Sequence, residues 1–392
     1  MPSDTSLRKM VSSVNRRDFH SALAVVCGAA WLGIASVQAQ DACTSGDQAL
    51  AAARWSEAND AYQICVRVNP SFAVYSNMGV ALSHMGRMED AIDSYKKALA
   101  VDPSNSKIEF NLSVALIKEN NYGLATDHLK HLQRTGNDIR YDELLAFSYY
   151  HLESYSLAAR AAERVYASRP GDPAIALILG STYERMGLYE KALPLITFAL
   201  ESGGSAAGHL ILAQTLNGLH RYREAENELR QLTADQPNFL GLHEALGEVY
   251  VGTERSPQAE VEFAAAIVQD PNDFEANYFL GRLKRFDGDI ASANRYLTIA
   301  DRLHPNSSEV QDERAEIAMK EHRFADAIPL LESVIKADPD QAQAYLSLAE
   351  AYQHTGRRAE AQREGQLYNS KRSESQERIA AQKRQSGAQE DQ

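Results

Sequence analysis

The sequence predicts an all-α chain built as a stack of antiparallel helix pairs. Three observations carry that reading. One pattern of small, large and proline positions returns every 33 or 34 residues. Strand-type alternation of apolar and polar residues is hard to find, and Ala, Leu, Glu, Arg and Gln dominate. The 392 residues are 44% hydrophobic and 24% charged, which suits a folded chain, and 12 Pro and 22 Gly are too few for a disordered or fibrous one. That length would hold two or three ordinary domains or one repeat array, and the periodicity favours the array.

The chain opens with an address. Arg16 and Arg17 precede an apolar run from about Ala22 to Val37, followed by the small-x-small pattern Val37-Gln38-Ala39. Residues 1–39 therefore read as a secretory signal peptide. The run would span ~24 Å as a helix, short of the ~30 Å hydrocarbon core, so a retained anchor is the second reading. "NRRDFH" resembles the twin-arginine export motif, although Asn15 stands before the pair and Leu-Lys does not follow Phe19. Ordinary Sec export stays open, and "AVVC" before Cys27 is a poor lipoprotein signal. The expected location is the bacterial periplasm or cell envelope, with no membrane span in the mature chain.

Cleavage after Ala39 leaves Cys43 and Cys65 as the mature cysteines. An even pair in an exported chain suggests a disulfide. The two fall on consecutive expected helices, where a hairpin would bring them together; a small core Cys65 and a free Cys43 are the alternative.

From residue 40 to 375 the repeat itself takes over. Measured from Gly79, Leu82 lies at +3, Ala91 at +12, Tyr95 at +16, Ala98 at +19 and Pro103 at +24. Gly180, Gly247, Gly281 and Ala349 start similar copies, and weaker ones start at Gly46, Ser113, Ala146, Ala213 and Ala315, ten in all. Two helices approach closely only where a small residue faces the partner, hence Gly or Ala at the first mark and Ala at +12. Large residues at +3 and +16 fill the space beside them. Proline at +24 stops the second helix. It stands there at Pro70, Pro103, Pro170, Pro237, Pro271, Pro305 and Pro339. Pro194 and Pro329 lie inside second helices and should bend them slightly. One pair of ~14-residue helices cannot bury a core alone, but stacked pairs can. Beyond Lys371 the pattern fades, and residues 376–392 read as a charged, disordered tail.

This spacing resembles the tetratricopeptide repeat family, best over residues 72–105, 173–206, 240–273 and 342–370. The resemblance implies a right-handed superhelical solenoid whose first helices line a concave groove that holds a protein or peptide. Groove positions then fall at −3, −2, +1 and +4. They include Ser76, Asn77, Val80, Ser83, Phe110, Asn111, Val114, Ile117, Phe147 and Tyr150. Asn77 and Asn111 would hydrogen-bond an extended peptide backbone, and Phe110, Phe147 and Tyr150 would accept apolar side chains. Later copies place Glu244, Glu248, Glu309, Asp312 and Glu316 on that face, with Tyr278, Arg282, Arg285 and Phe286 between them. That mixed surface suits a basic or aromatic segment. Of the family's carboxylate-clamp positions, here Cys43, Asp47, Asn77, Lys107 and Asn111, only Asn77 and Lys107 fit, and Asp47 would repel a terminal carboxylate.

Chemistry is sparsely written. No phosphate loop, Gly-x-Ser-x-Gly or His-Glu-x-x-His occurs, and no Cys-x-x-Cys offers a zinc or redox site. His128 and His131 share a helix face without an evident third metal ligand. A net charge of −13 disfavours nucleic acid, whose phosphates it repels. The expected function is an exported non-enzymatic interaction scaffold with no cofactor. The alternative is an accessory subunit of an envelope polysaccharide or secretion machine whose catalytic chain is separate.

Overall fold

The computed structural model describes residues 41–390, in which twenty helices and no strand occur. The expected leader and its cleavage site lie outside the described residues. The chain divides into two compact units, Met1–Thr182 and Tyr183–Gln392.

In the first unit, residues 41–51 pair with Trp55–Cys65, Phe72–His84 with Met88–Val101, Ser106–Lys118 with Tyr122–Thr135, and Ile139–His151 with Tyr155–Ser168. The division falls inside the helix Pro173–Arg185; in the second unit Tyr189–Glu201 is followed by Ala206–Gly218 with Tyr222–Asp235, and Leu242–Gly252 with Ser256–Gln269. Phe274–Phe286 with Ile290–Leu303, Ser308–Lys320 with Phe324–Ala337, and Ala342–His354 with Arg358–Glu390 complete it. Within each unit a second helix also packs on the next first helix, and first helices of successive copies touch, as Phe72–His84 does Ser106–Lys118. Pro194 and Pro329 sit inside helices that continue past them.

Several first helices begin at side-chain caps, though Leu242–Gly252 and Ala342–His354 do not. Ser71 accepts from the Val74 N–H, Asn105 from Ile108, Ser205 from Gly208 and Asp273 from Ala276, each supplying an acceptor to a helix end that lacks one. They end on a left-handed residue seven places after the first mark. Gly86, Gly187, Gly288 and Gly356 take that conformation at little cost, but Ala53, Asn120, Glu153, His220, Glu254 and His322 adopt it too, with φ between 55° and 58°. A β-carbon there costs roughly 1–2 kcal/mol. Glu153→Gly and Glu254→Gly are each expected to stabilise the fold by about 0.5–1 kcal/mol, after the added freedom of the unfolded glycine is deducted. Urea midpoints of the single variants check this; an unchanged or lower midpoint refutes it.

The spacing rule has a direct steric basis. A β-carbon at Gly46 would lie 2.7 Å from the Tyr62 ring, one at Gly79 2.5 Å from Tyr95, and one at Gly247 2.6 Å from Phe263. All three rings are 2% exposed or less. Where the mark is Ser113, Ala213 or Ala315, the partner at +16 is Leu129, Leu229 or Leu331.

Cys43 and Cys65 are joined, with α-carbons 5.0 Å apart. The bridge ties residues 41–51 to Trp55–Cys65 beside the buried cluster of Ala49, Ala58 and Tyr62. Reduction, or Cys43→Ser, is expected to raise amide exchange across residues 41–65 roughly tenfold and leave residues 106–135 unchanged. Equal protection before and after reduction would count against a structural role.

Residues 376–390, read in the sequence as a charged tail beyond a frayed helix, lie in the last helix, Arg358–Glu390, a run of 33 residues. The composition suits both readings: Ala, Glu, Gln, Lys and Arg, which mark solvated tails, are also strong helix formers. Lys371 and Arg378 reach back to Asp340 at 2.8 and 2.7 Å.

Candidate functional site on the first-helix face

A cavity of about 280 Å³ opens in the first unit between copies two and three. Val80, Ser83, Phe110, Asn111 and Val114 line it, together with His84, Met88, Tyr95, Ala115 and Lys118. The first five occupy the +1, +4, −3, −2 and +1 positions of two touching first helices, which turns them to one side. The walls are held from behind. The Tyr95 hydroxyl and Ser83 Oγ are 3.1 Å apart, and Phe110 meets the Tyr141 ring at 5.8 Å and the Arg140 guanidinium at 5.0 Å. Asn111 has no hydrogen-bond partner among the described residues, so its amide is available to a ligand.

Asn77 has the same register but another environment. Its amide donates to Asp47 Oδ1 at 3.2 Å and to the Tyr62 hydroxyl at 3.1 Å, while Tyr62 itself donates to Asp47 at 2.7 Å. Burial, with the Asp47 carboxylate beside it, pushes the Tyr62 phenol far above its usual range. Asn77 is thus a strut between copies one and two. Ser76 is buried, and Ile117 packs on the core. Phe147 sets its edge on His151 at 4.5 Å and Tyr122 at 6.2 Å. Tyr150 meets His151 and Tyr155 edge-on at 5.6 and 5.8 Å. Neither aromatic lines the cavity. His84 and Lys118, at +5, escaped the sequence reading; their signal is the position itself, the last residue of a first helix.

In the second unit Tyr278 lies parallel to Phe274, with centroids 6.3 Å apart, and burial raises its phenol pKa. Arg282 pairs with Glu313 at 3.4 Å, and Arg285 binds the same carboxylate. Both guanidiniums also face Phe286, at 5.7 and 4.4 Å. Of the expected acidic residues, Glu309 is held below its usual pKa by the Ser307 hydroxyl, whereas burial raises Asp312 and Glu316. Burial also lifts Glu244 to about 8 and Glu248 to about 7. Glu184, which the sequence did not single out, is lifted to about 7 for the same reason.

His128 and His131 do converge, but on Glu109, whose carboxylate they meet through Nδ1 at 3.1 and 2.8 Å. Among the described residues no group of three or more His, Cys, Asp and Glu can hold a metal ion. Equivalent histidine–glutamate contacts join the two helices of other copies: His209 with Glu228 at 2.9 Å and His243 with Glu262 at 2.7 Å. They tie one helix of a pair to the other. Among the described residues no helix is long and apolar enough to cross a membrane.

Tetratricopeptide repeat models match residues 72–105, 210–274 and 318–380. A model described as anaphase-promoting complex, cyclosome, subunit 3 matches residues 154–232. Tetratricopeptide repeat protein 21B of Xenopus laevis is 22% identical over 288 residues, 71% of this chain and 21% of that protein. Small glutamine-rich tetratricopeptide repeat-containing protein 2 of Mycosarcoma maydis is 32% identical over 91 residues, 23% of this chain and 26% of that protein. The chain thus spans about a fifth to a quarter of the length of these relatives. Among solved structures, yeast Tom70 is similar with a TM-score of 0.39 and 16% identity, over 88% of this chain and 99% of that one. YrrB, described as a tetratricopeptide repeat protein with an unusual peptide-binding site, scores 0.41 at 20% identity, over 48% and 98%.

Proposed function

Because the chain belongs to the tetratricopeptide repeat family, we propose that it is an exported, non-enzymatic scaffold that binds an extended peptide segment of a protein partner. Proteins of this family bind protein or peptide partners and are in general not catalytic. The observation that carries the reading is the cavity between copies two and three. Its walls combine apolar Val80, Val114 and Phe110 with an Asn111 amide that no internal partner uses. An extended main chain alternates donors and acceptors, and one carboxamide supplies both. At about 280 Å³ the space suits one large side chain better than a cofactor. Export rests on the arginine pair, the apolar run and the small-x-small pattern of residues 16–39, and a Cys43–Cys65 bridge accords with an oxidising compartment.

Capture of binding proteins from envelope extract by the mature chain tests this. Asn111→Ala combined with Val114→Asp is expected to lower recovery of a specific partner about tenfold, the scale of losing a hot spot. Asn77→Ala is the contrast, since it disturbs the strut to Asp47 and should act chiefly on stability. Undiminished recovery by the folded double variant would refute the assignment of this face.

A further inference from the structure

We propose that the cavity selects an acidic segment: one apolar side chain enters among Val80, Phe110 and Val114 while flanking carboxylates meet Lys118 and His84. This rests on the reading of the first-helix face as a peptide site and adds a charge preference to it. The chain carries 53 Asp and Glu against 40 Lys and Arg, yet no acidic residue lines this cavity. Lys118 and His84 do line it, and among the described residues neither has a carboxylate within ion-pair distance. Arg140, Arg169 and Arg164 of the same unit each pair with a carboxylate, whereas Lys96, Lys97, Lys107 and Lys130, like Lys118, have none within ion-pair distance among the described residues.

A cation complements the negative end of a helix, which accounts for the place of Lys118 on its last turn. The helix end does not account for the absence of any carboxylate from the lining of an apolar cavity that holds Lys118 and His84. The imidazole is also fixed in advance, since His84 stacks on Trp55 with centroids 4.0 Å apart and 7° between planes. His151 repeats this one copy beyond Lys118, stacked on Tyr122 at 4.6 Å and 8°. Positions 84, 118 and 151 are equivalent sites in three consecutive copies, so an extended acidic segment crossing the copies would meet the Lys118 ammonium with an imidazole on either side. Electrostatic complementarity of this kind governs selectivity and association rate more than raw affinity.

Three fluorescent synthetic peptides test the proposal by anisotropy on the full mature chain. One alternates Glu and Ser around a central Leu; the second replaces every Glu with Lys; the third keeps Glu but replaces Leu with Ala. The Glu–Leu peptide is expected to bind at least about tenfold tighter than its lysine twin, with the advantage shrinking as salt rises. Lys118→Ala with His84→Gln should cut that advantage about fivefold, and the melting temperature of the variant, which loses the His84–Trp55 stack, is read beside it as the control for folding. Equal affinity for the first two peptides, or an advantage that survives the double substitution, overturns the charge preference. If Leu dependence persists in that case, the peptide-site reading stands alone. Absence of binding by all three peptides overturns the proposal, and the extract capture then decides the reading on its own. A concentration-dependent rise in mass that Lys118→Ala abolishes would replace the partner peptide with a second copy of this chain.

Discussion

Gly79→Ala is expected to cost the first unit about 3 kcal/mol, the upper range for overpacking a filled core. The added methyl would stand 2.5 Å from the Tyr95 ring, in a place no real β-carbon occupies. The ring cannot retreat: Tyr95 is 2% exposed and lies among Leu82, Ala98, Leu112 and Leu116. Either the ring leaves its rotamer or the two helices of copy two separate, and separation weakens the contact with copy three, because each pair is stabilised by its neighbours. Copies six and nine point to the repair. There Ala213 faces Leu229 and Ala315 faces Leu331, all four buried, so the small–large pair works in either combination. Tyr95→Leu alone should destabilise by about 1–2 kcal/mol through the void and the lost Ser83 contact. Combined with Gly79→Ala it should restore about half the loss, a coupling that independent sites would not show. Urea titration of the four chains measures the cycle. A single substitution costing under ~0.5 kcal/mol, or strict additivity, would mean that the mark is not a steric contact.

That contact is also why the helix pairs were legible in the sequence. Small at the mark and large at +16 is a rule about two residues in one hairpin, and the sequence writes both within 17 positions. Features set by other elements stayed hidden. The left-handed turn at Glu153 or His220 is imposed by the pairing of the flanking helices, and neither residue type announces it. Asn77 and Asn111 look identical in register. They differ because Asp47, thirty residues before Asn77, claims one amide, while Val80 stands where a second Asp47 would be. Val80, Phe110, Asn111 and Val114, which the repeat register singles out, line the cavity, and so do His84 and Lys118, which stand at helix ends where the register marks no groove position. Glu184 reads as one more carboxylate on a solvated helix, and only packing reveals its burial.

That burial is expected to make the second unit more stable in mild acid than in mild base. Glu244 is lifted from 4.5 to about 8, mainly by burial and further by Asp273, Glu248 and Glu275. Glu248 and Glu184 are each lifted to about 7, again mainly by burial, with Asn217 donating to Glu248 at 3.2 Å and Arg185 opposing the rise at Glu184. A carboxyl whose folded pKa exceeds its unfolded value holds its proton more tightly in the fold. Between those two values the native state binds more protons than the unfolded one, so stability falls as pH rises. For this cluster the fall begins above the unfolded value of 4.5 and is complete once pH passes about 8. The three groups share neighbours and retain some solvent contact, which keeps their combined effect near 3 kcal/mol rather than the sum of separate shifts. Glu244→Gln mimics the protonated acid. It should leave stability at about pH 5 unchanged and raise it by about 2 kcal/mol at about pH 8.5, flattening the profile. Amide exchange of residues 242–269, followed from about pH 5 to 8.5 after correction for the intrinsic rate, isolates this unit from the first. Protection that rises with pH, or a Gln variant that tracks the parent chain at every pH, would show that these carboxyls are ionised and solvated in the fold.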